Sequence, residues 1–272
     1  MTAGVSRGIL ELAQLRRLSA TSALVTLERW PQDATPVAQM RDRIAVGLHI
    51  DLTLGKPLGP MPSLAPDARF PSLRQILIRV LTGRIDQEEI AAEVTRQLDR
   101  FEEATGFPPD HVDGHQHVHA LPAIRNGVLK ALTKRFPSGG PLVRDPADSF
   151  SAIRKRGLAV RKSLVISLLC SGFGAAARAR GFTVNDSFSG TSPFKEGQPY
   201  GDELQAAFSA GGRHHLVMCH PGHVDPELAG LDPVVARRAE EHAALAQAPD
   251  LPAKLWHPQR TADGSIVNWE RS

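Results

Sequence analysis

The chain has 272 residues, 42% apolar and 22% charged, an ordinary globular composition with enough apolar side chains for a sizeable core. Its 32 basic and 29 acidic residues nearly cancel to a formal charge of +3, and no dense basic stripe accompanies that surplus, so nucleic acid is not an expected partner. Aromatic residues make up 5%, with a single tyrosine, which argues against a wide stacking platform for bases or long sugar chains.

The opening MTAGVSRGILELAQL is amphipathic and lacks the basic flank and apolar block of a secretory signal. Apolar positions at Ile9, Leu10, Leu12, Leu15 and Leu18 predict a helix over residues 5–18. A short strand is expected at 23–27, a helix at 36–43 and a buried strand at 45–52 (AVGLHIDL). The proline-rich loop KPLGPMPSLAP follows, and loops of that length often line sites. Helices are predicted at 73–81 and 86–105, the second capped by Asp86 with acidic residues in its first turn. Residues 110–115 read as the next strand, 122–136 as a helix and 141–144 as a short strand.

A helical region is expected over 150–180, broken at Gly172-Phe173-Gly174. Its basic run Arg154, Lys155, Arg156, Arg161 and Lys162 reads as a solvated helix face. The apolar stretch 163–177 within it is too short and polar-interrupted to span a bilayer. A strand at 183–188, a helix at 202–210, a strand at 215–220 and a helix at 233–246 complete the pattern. Two cysteines, Cys170 and Cys219, are too few for a disulfide framework and suit a reduced, cytoplasmic protein. Cys219, after an apolar run, reads as a buried structural thiol. The alternation of strand and helix predicts a parallel sheet in one domain over 1–272, closed or nearly closed into a (β/α) barrel. No Gly-rich phosphate fingerprint follows any strand.

Three histidine-bearing segments lie at predicted strand C-termini: GLHIDLT with His49 and Asp51, DGHQHVH with Asp113, His115, His117 and His119, and MCHPGHVD with His220 and His223. In parallel α/β barrels such ends feed one mouth, so the three clusters are expected to converge. Residues two apart on a strand share a face, so Asp113, His115, His117 and His119 should point one way while the segment stays extended. Neutral imidazole suits zinc and similar divalent ions, and carboxylates often orient such ligands. The alternative is a hydrogen-bonded histidine rail at a barrel rim. His49 and Asp51 repeat the two-residue spacing, one to bind metal and one to support it. His220 suits either a general acid or a histidine capping a strand-to-helix turn. His111, His214, His215 and His257 read as ordinary surface or fold positions.

The stretches GVSRGILELAQ with TSALV, VGLHIDLTLGKPL, HVDGHQHVHALP, LVRD and VMCHPGHVD together resemble the YdjC-like carbohydrate deacetylases, which include chitooligosaccharide deacetylases and a hopanoid-biosynthesis branch. The resemblance runs from the start to about Asp225, with nothing matched over 145–200. It implies a deformed, TIM-barrel-like (β/α) fold, a divalent metal (zinc or magnesium) and removal of an N-acetyl group from a small acetylated amino sugar. It also implies His49 and His115 as metal ligands, His220 as the acid for the leaving amine, and Arg144 orienting a carboxylate or the substrate. Asp51, Asp113, His117, His119 and His223 fall to supporting or substrate-binding roles. Family members place a strand ending in Asn-Ala-Asp-Asp-Phe-Gly just ahead of the segment with which this sequence opens, so the first barrel strand and two aspartates are missing from it. The expectation is that Met1 is an internal methionine of a longer protein; the alternative is a chain without that segment and without activity. A hydrolase of another amide or ester, and a non-catalytic sugar-binding or scaffold protein, are the rival readings. A homo-oligomer is compatible with the sequence.

Overall fold

The computed structural model describes residues 2–194, 199–231 and 235–271. Thr2 caps α1 (Ala3–Gln14), and the stripe Val5, Ile9 and Leu12 turns into the core. β1 (Ala20–Ala23) pairs with β2 (Ala45–Ile50) in parallel, from Ala20 opposite Ala45 to Ala23 opposite Leu48. The strand therefore lies earlier than 23–27: pairing with β2 sets its limits, and Val25 is buried beyond its end. α2 (Trp30–Gln39) likewise starts before the expected 36, because Pro31 takes the first turn and Pro36 is carried inside the helix.

α3 (Leu73–Leu81) opens with a capping box between Ser72 and Gln75. α4 (Gln87–Thr105) is capped by Asp86, which accepts from the Glu88 and Glu89 amides, and it ends at Gly106 with φ +81°. It packs on α5 (Ile124–Arg135) and on β2, and Phe101 from it stacks on Trp30 at 5.9 Å between ring centres. β3 (His111–Gly114) lies beside β2, and β4 (Leu142–Val143) beside β3. A single bridge joins Val143 to Val184, and β5 (Ser187–Ser189) then pairs with β6 (His215–Val217), again in parallel. β1 to β4 and β5 with β6 thus form two parallel sheets linked by one bridge, an α/β arrangement. Among the described residues no strand pairing joins β6 to β1.

The helical stretch after β4 is α6 (Phe150–Arg156), α7 (Val160–Leu169) and α8 (Phe173–Arg178), with left-handed glycines at Gly157 (φ +71°) and Gly172 (φ +80°) between them. By length and composition Val160–Arg178 is apolar enough to cross a membrane, but the chain turns at Gly172 within it. α9 (Tyr200–Phe208) precedes β6, and α10 (Pro226–Leu231) and α11 (Val235–Gln247) follow it. The start of the predicted helix at 233 lies outside the described residues. α10 and an antiparallel hairpin, β7 (Trp256–Arg260) with β8 (Ile266–Arg271), have no counterpart among the sequence expectations. Arg260 forks onto Asp110 at 2.8 and 2.7 Å, holding this hairpin to the base of β3.

Candidate active site

Three successive strands deliver three side chains to one network. His49 on β2 and Asp113 on β3 are direct partners in the sheet register, and His49 Nδ1 lies 2.6 Å from Asp113 Oδ1. Arg144 leaves the end of β4, where its amide donates to Val112, and its Nη1 lies 2.6 Å from Asp113 Oδ2. Burial opposes ionisation of Asp113, but the Arg144 guanidinium and His49 overcome it and hold the carboxyl well below the usual carboxylate range. An ionised carboxylate can only accept, so His49 Nδ1 carries the proton and, in the neutral ring, Nε2 is the basic nitrogen. That is the arrangement in which a carboxylate orients a histidine towards a metal. The His115 ring stands edge-on to His49 at 5.6 Å between centres.

The four polar residues from Asp113 to His119 do not share a strand face. β3 ends at Gly114, and residues His115–Ala120 form a 3-10 turn in which Gln116 and His117 take left-handed backbone angles (φ 51° and 61°). A Cβ on Gly114 would stand 2.7 Å from His119 Nδ1, so only glycine lets the turn fold back so closely. The turn sends His115 to the half-exposed side with His49 and buries His117 and His119. His117 Nδ1 lies 3.3 Å from Arg144 Nη2, and its ring meets Phe188. His119 Nε2 donates to the Arg144 carbonyl at 2.8 Å, and its ring meets Phe173. Burial, and then the Arg144 charge, push His117 well below the ordinary histidine range and His119 down to about 3, so both rings are neutral supports for Arg144.

Asp51 is fully buried and turned to its own loop. It accepts from the Thr53 and Leu54 amides at 2.9 Å each and from the Thr26 hydroxyl at 2.9 Å. Gln97 on α4 brackets its backbone from both sides, at 3.0 and 2.8 Å. These bonds fix the entry to the proline-rich loop immediately after His49.

His220 and His223 form a second group, on the loop after β6. The His220 amide donates to Glu241 of α11, whose other oxygen lies 3.9 Å from His220 Nδ1. Burial raises the Glu241 carboxyl to about 7 against the pull of that amide and of Arg237. His223 Nε2 meets Glu11 of α1 at 2.6 Å, and its ring lies 4.4 Å from that of His242. Glu11, Glu241 and His242 have no place among the sequence expectations. Glu241 was detectable as one of two charged members, with Arg237, of the helical series Arg237, Glu241, Leu245. Cys219 is partly buried, and desolvation pushes its thiol up. Of the histidines expected at surface or fold positions, only His214 is exposed; His111 is buried against Ser22 and Gly47, and His257 is buried near the Arg43 carbonyl.

The model of the YdjC-like protein family matches residues 1–253. A chitooligosaccharide deacetylase of Klebsiella pneumoniae (strain 342) is 30% identical over 230 residues, covering 85% of this chain and 81% of that protein. One from Serratia marcescens is 29% identical over 225 residues, covering 83% of this chain and 79% of its own length. Among solved structures, an Enterococcus faecalis V583 protein named for cellobiose-phosphate cleavage shares the fold, with a TM-score of 0.67 at 19% identity over 98% of this chain and 92% of that one. On the extent of the family match and of the Klebsiella relative, this chain belongs to the YdjC-like family.

Proposed function

We propose that the chain is a metal-dependent carbohydrate deacetylase that hydrolyses the N-acetyl amide of a small acetylated amino sugar. The observation that carries this reading is the His49–Asp113–Arg144 chain of contacts, which leaves the His49 Nε2 basic beside the His115 ring. The names of the Klebsiella and Serratia relatives support the same substrate class. The parallel strands β1 to β4, linked by one bridge to the parallel pair β5 and β6, support a deformed (β/α) barrel whose strand C-termini carry the site.

His49 and His115 would supply two imidazoles, one oriented by a carboxylate, of the three protein ligands that a catalytic divalent cation such as zinc ordinarily takes. When bound, the cation polarises the acetyl carbonyl and eases deprotonation of water. His220 supplies the proton that the departing amine needs once the C–N bond breaks, so that water and amide become acetate and free amine. Glu241 positions the His220 loop through its backbone, and Arg144 acts through Asp113.

The test is acetate release from a panel of N-acetylated amino sugars, with O-acetyl esters and unrelated amides beside them. The protein is purified from its native host, stripped with chelator and re-supplied with zinc or magnesium. Metal-restored acetate release from N-acetyl sugars is expected. Turnover confined to esters or other amides, or absent with every metal, would overturn the reading.

A further inference from the structure

A second group of metal-ligand chemistry lies outside the His49 network and shares no residue with it. Glu11 on α1, His223 on the loop after β6 and His242 on α11 each offer a ligand atom, all within 4.8 Å of one another. Glu11 Oε2 is 2.6 Å from His223 Nε2 and 3.2 Å from His242 Nε2. Ligand atoms around a tetrahedral zinc stand about 3.3 Å apart, so small side-chain movements would seat an ion among the three.

The backbone around the group is built to bring these residues together. Gly4, Gly8 and Glu11 share one face of α1. A Cβ on Gly4 would stand 2.5 Å from the His223 carbonyl oxygen. One on Gly8 would stand 3.0 Å from Gly222 Cα and 3.1 Å from the His242 ring. The Gly222 amide donates to Arg238 of α11, and the His223 amide to Gly4. Two glycines therefore let loop and helix lie flush on α1, and Glu11, one turn further on, meets both imidazoles. His242 Nε2 is buried without a well-formed hydrogen bond, a cost on the order of 1–3 kcal/mol that a metal ligand would not incur.

The geometry points to a second transition-metal site at Glu11, His223 and His242, of a class that takes zinc, cobalt(II) or nickel(II). Two imidazoles and one carboxylate leave the fourth position open to water. Filled, the site pins α1, from the start of the chain, to α11 near its end, and holds still the loop that carries His220. The inference stands apart from the deacetylase reading, and either can fail without the other.

Tag-free protein, stripped with chelator, is titrated with cobalt(II) and followed by its visible absorption and by thermal melting. The variants are Glu11→Gln, His242→Ala and His49→Ala, with Glu11→Gln altering only a half-exposed side chain. In wild type and in His49→Ala a cobalt-binding event is expected, with melting raised by on the order of 5 °C at a hundredfold excess over Kd. In Glu11→Gln and His242→Ala that event should weaken by at least about tenfold while apo melting of Glu11→Gln stays near wild type. Titrations of Glu11→Gln that match wild type, loss of all binding in His49→Ala, or no cobalt binding by wild type would each overturn the site.

Discussion

The two histidine groups are held in place by different means. His49, Asp113 and Arg144 come from adjacent strands, and the sheet register itself sets His49 opposite Asp113. His220 and His223 lie on a loop beyond the three-residue β6, and their places depend on α1 and α11, from opposite ends of the chain. The first group is preorganised by backbone pairing and a buried ion pair. The second is assembled by close packing of glycines against a helix, so changes in distant residues should reach it more readily.

The sharpest break should come at Arg144. Replacing it with Ala leaves the buried Asp113 carboxylate without its guanidinium, with only the His49 hydrogen bond remaining, and urea unfolding should show a loss of about 3–5 kcal/mol. A loss under 1 kcal/mol would mean that the ion pair does not organise the first group. The second group has its counterpart in Gly4→Ala. The added methyl meets the His223 carbonyl and the Asp225 carboxylate, so despite alanine's helix preference the fold should lose about 1–3 kcal/mol. A stabilised variant would show that the loop can yield there.

Asp113→Asn keeps the shape but removes the charge that orients His49. Metal affinity measured by competition should fall about 10–100-fold, with folding preserved as judged by circular dichroism. The smallest effect lies at His215 on β6, whose ring is set between Ser187 and Ser189. Burial lowers its pKa from 6.5, so the unfolded chain takes up a proton before the folded one as pH falls. Its contribution is complete above pH 6.5 and lost below, and the stability of His215→Gln should fall less steeply than that of wild type from pH 6.5 downwards. Parallel slopes would mean that the ring titrates as it does in the unfolded chain.

Where backbone periodicity or capping governs, the sequence was legible. The limits of α3, the Asp86 cap of α4 and the buried β2 follow from their own residues. His49 and Asp113 each stand out near the end of a buried strand, but their pairing comes from the sheet register, whereas spacing joins His49 to Asp51. The turn after Gly114 was not legible, since it depends on two left-handed non-glycine residues held by tertiary contacts. With it went the expectation of a common face for His115, His117 and His119. Asp51 illustrates the same limit: spacing sets it with His49, while hydrogen bonds from Thr26, Thr53 and Leu54 turn its carboxylate to the loop. Glu11 and His242 were beyond reach, because their partner His223 joins them only through the folding of both chain ends onto one helix face.

The most direct test of the central claim, that His49 on β2 and His115 in the turn after β3 hold a metal while the loop histidine moves a proton, is one comparison of His49→Ala with His220→Ala. Metal content and acetate release are measured on the same samples. The account predicts that His49→Ala loses acetate release and the metal of the His49–His115 site, keeping only what binds at Glu11, His223 and His242, whereas His220→Ala keeps the metal of both sites and loses about 10²–10⁴-fold in turnover. Full turnover in His220→Ala, or undiminished metal and activity in His49→Ala, would contradict it.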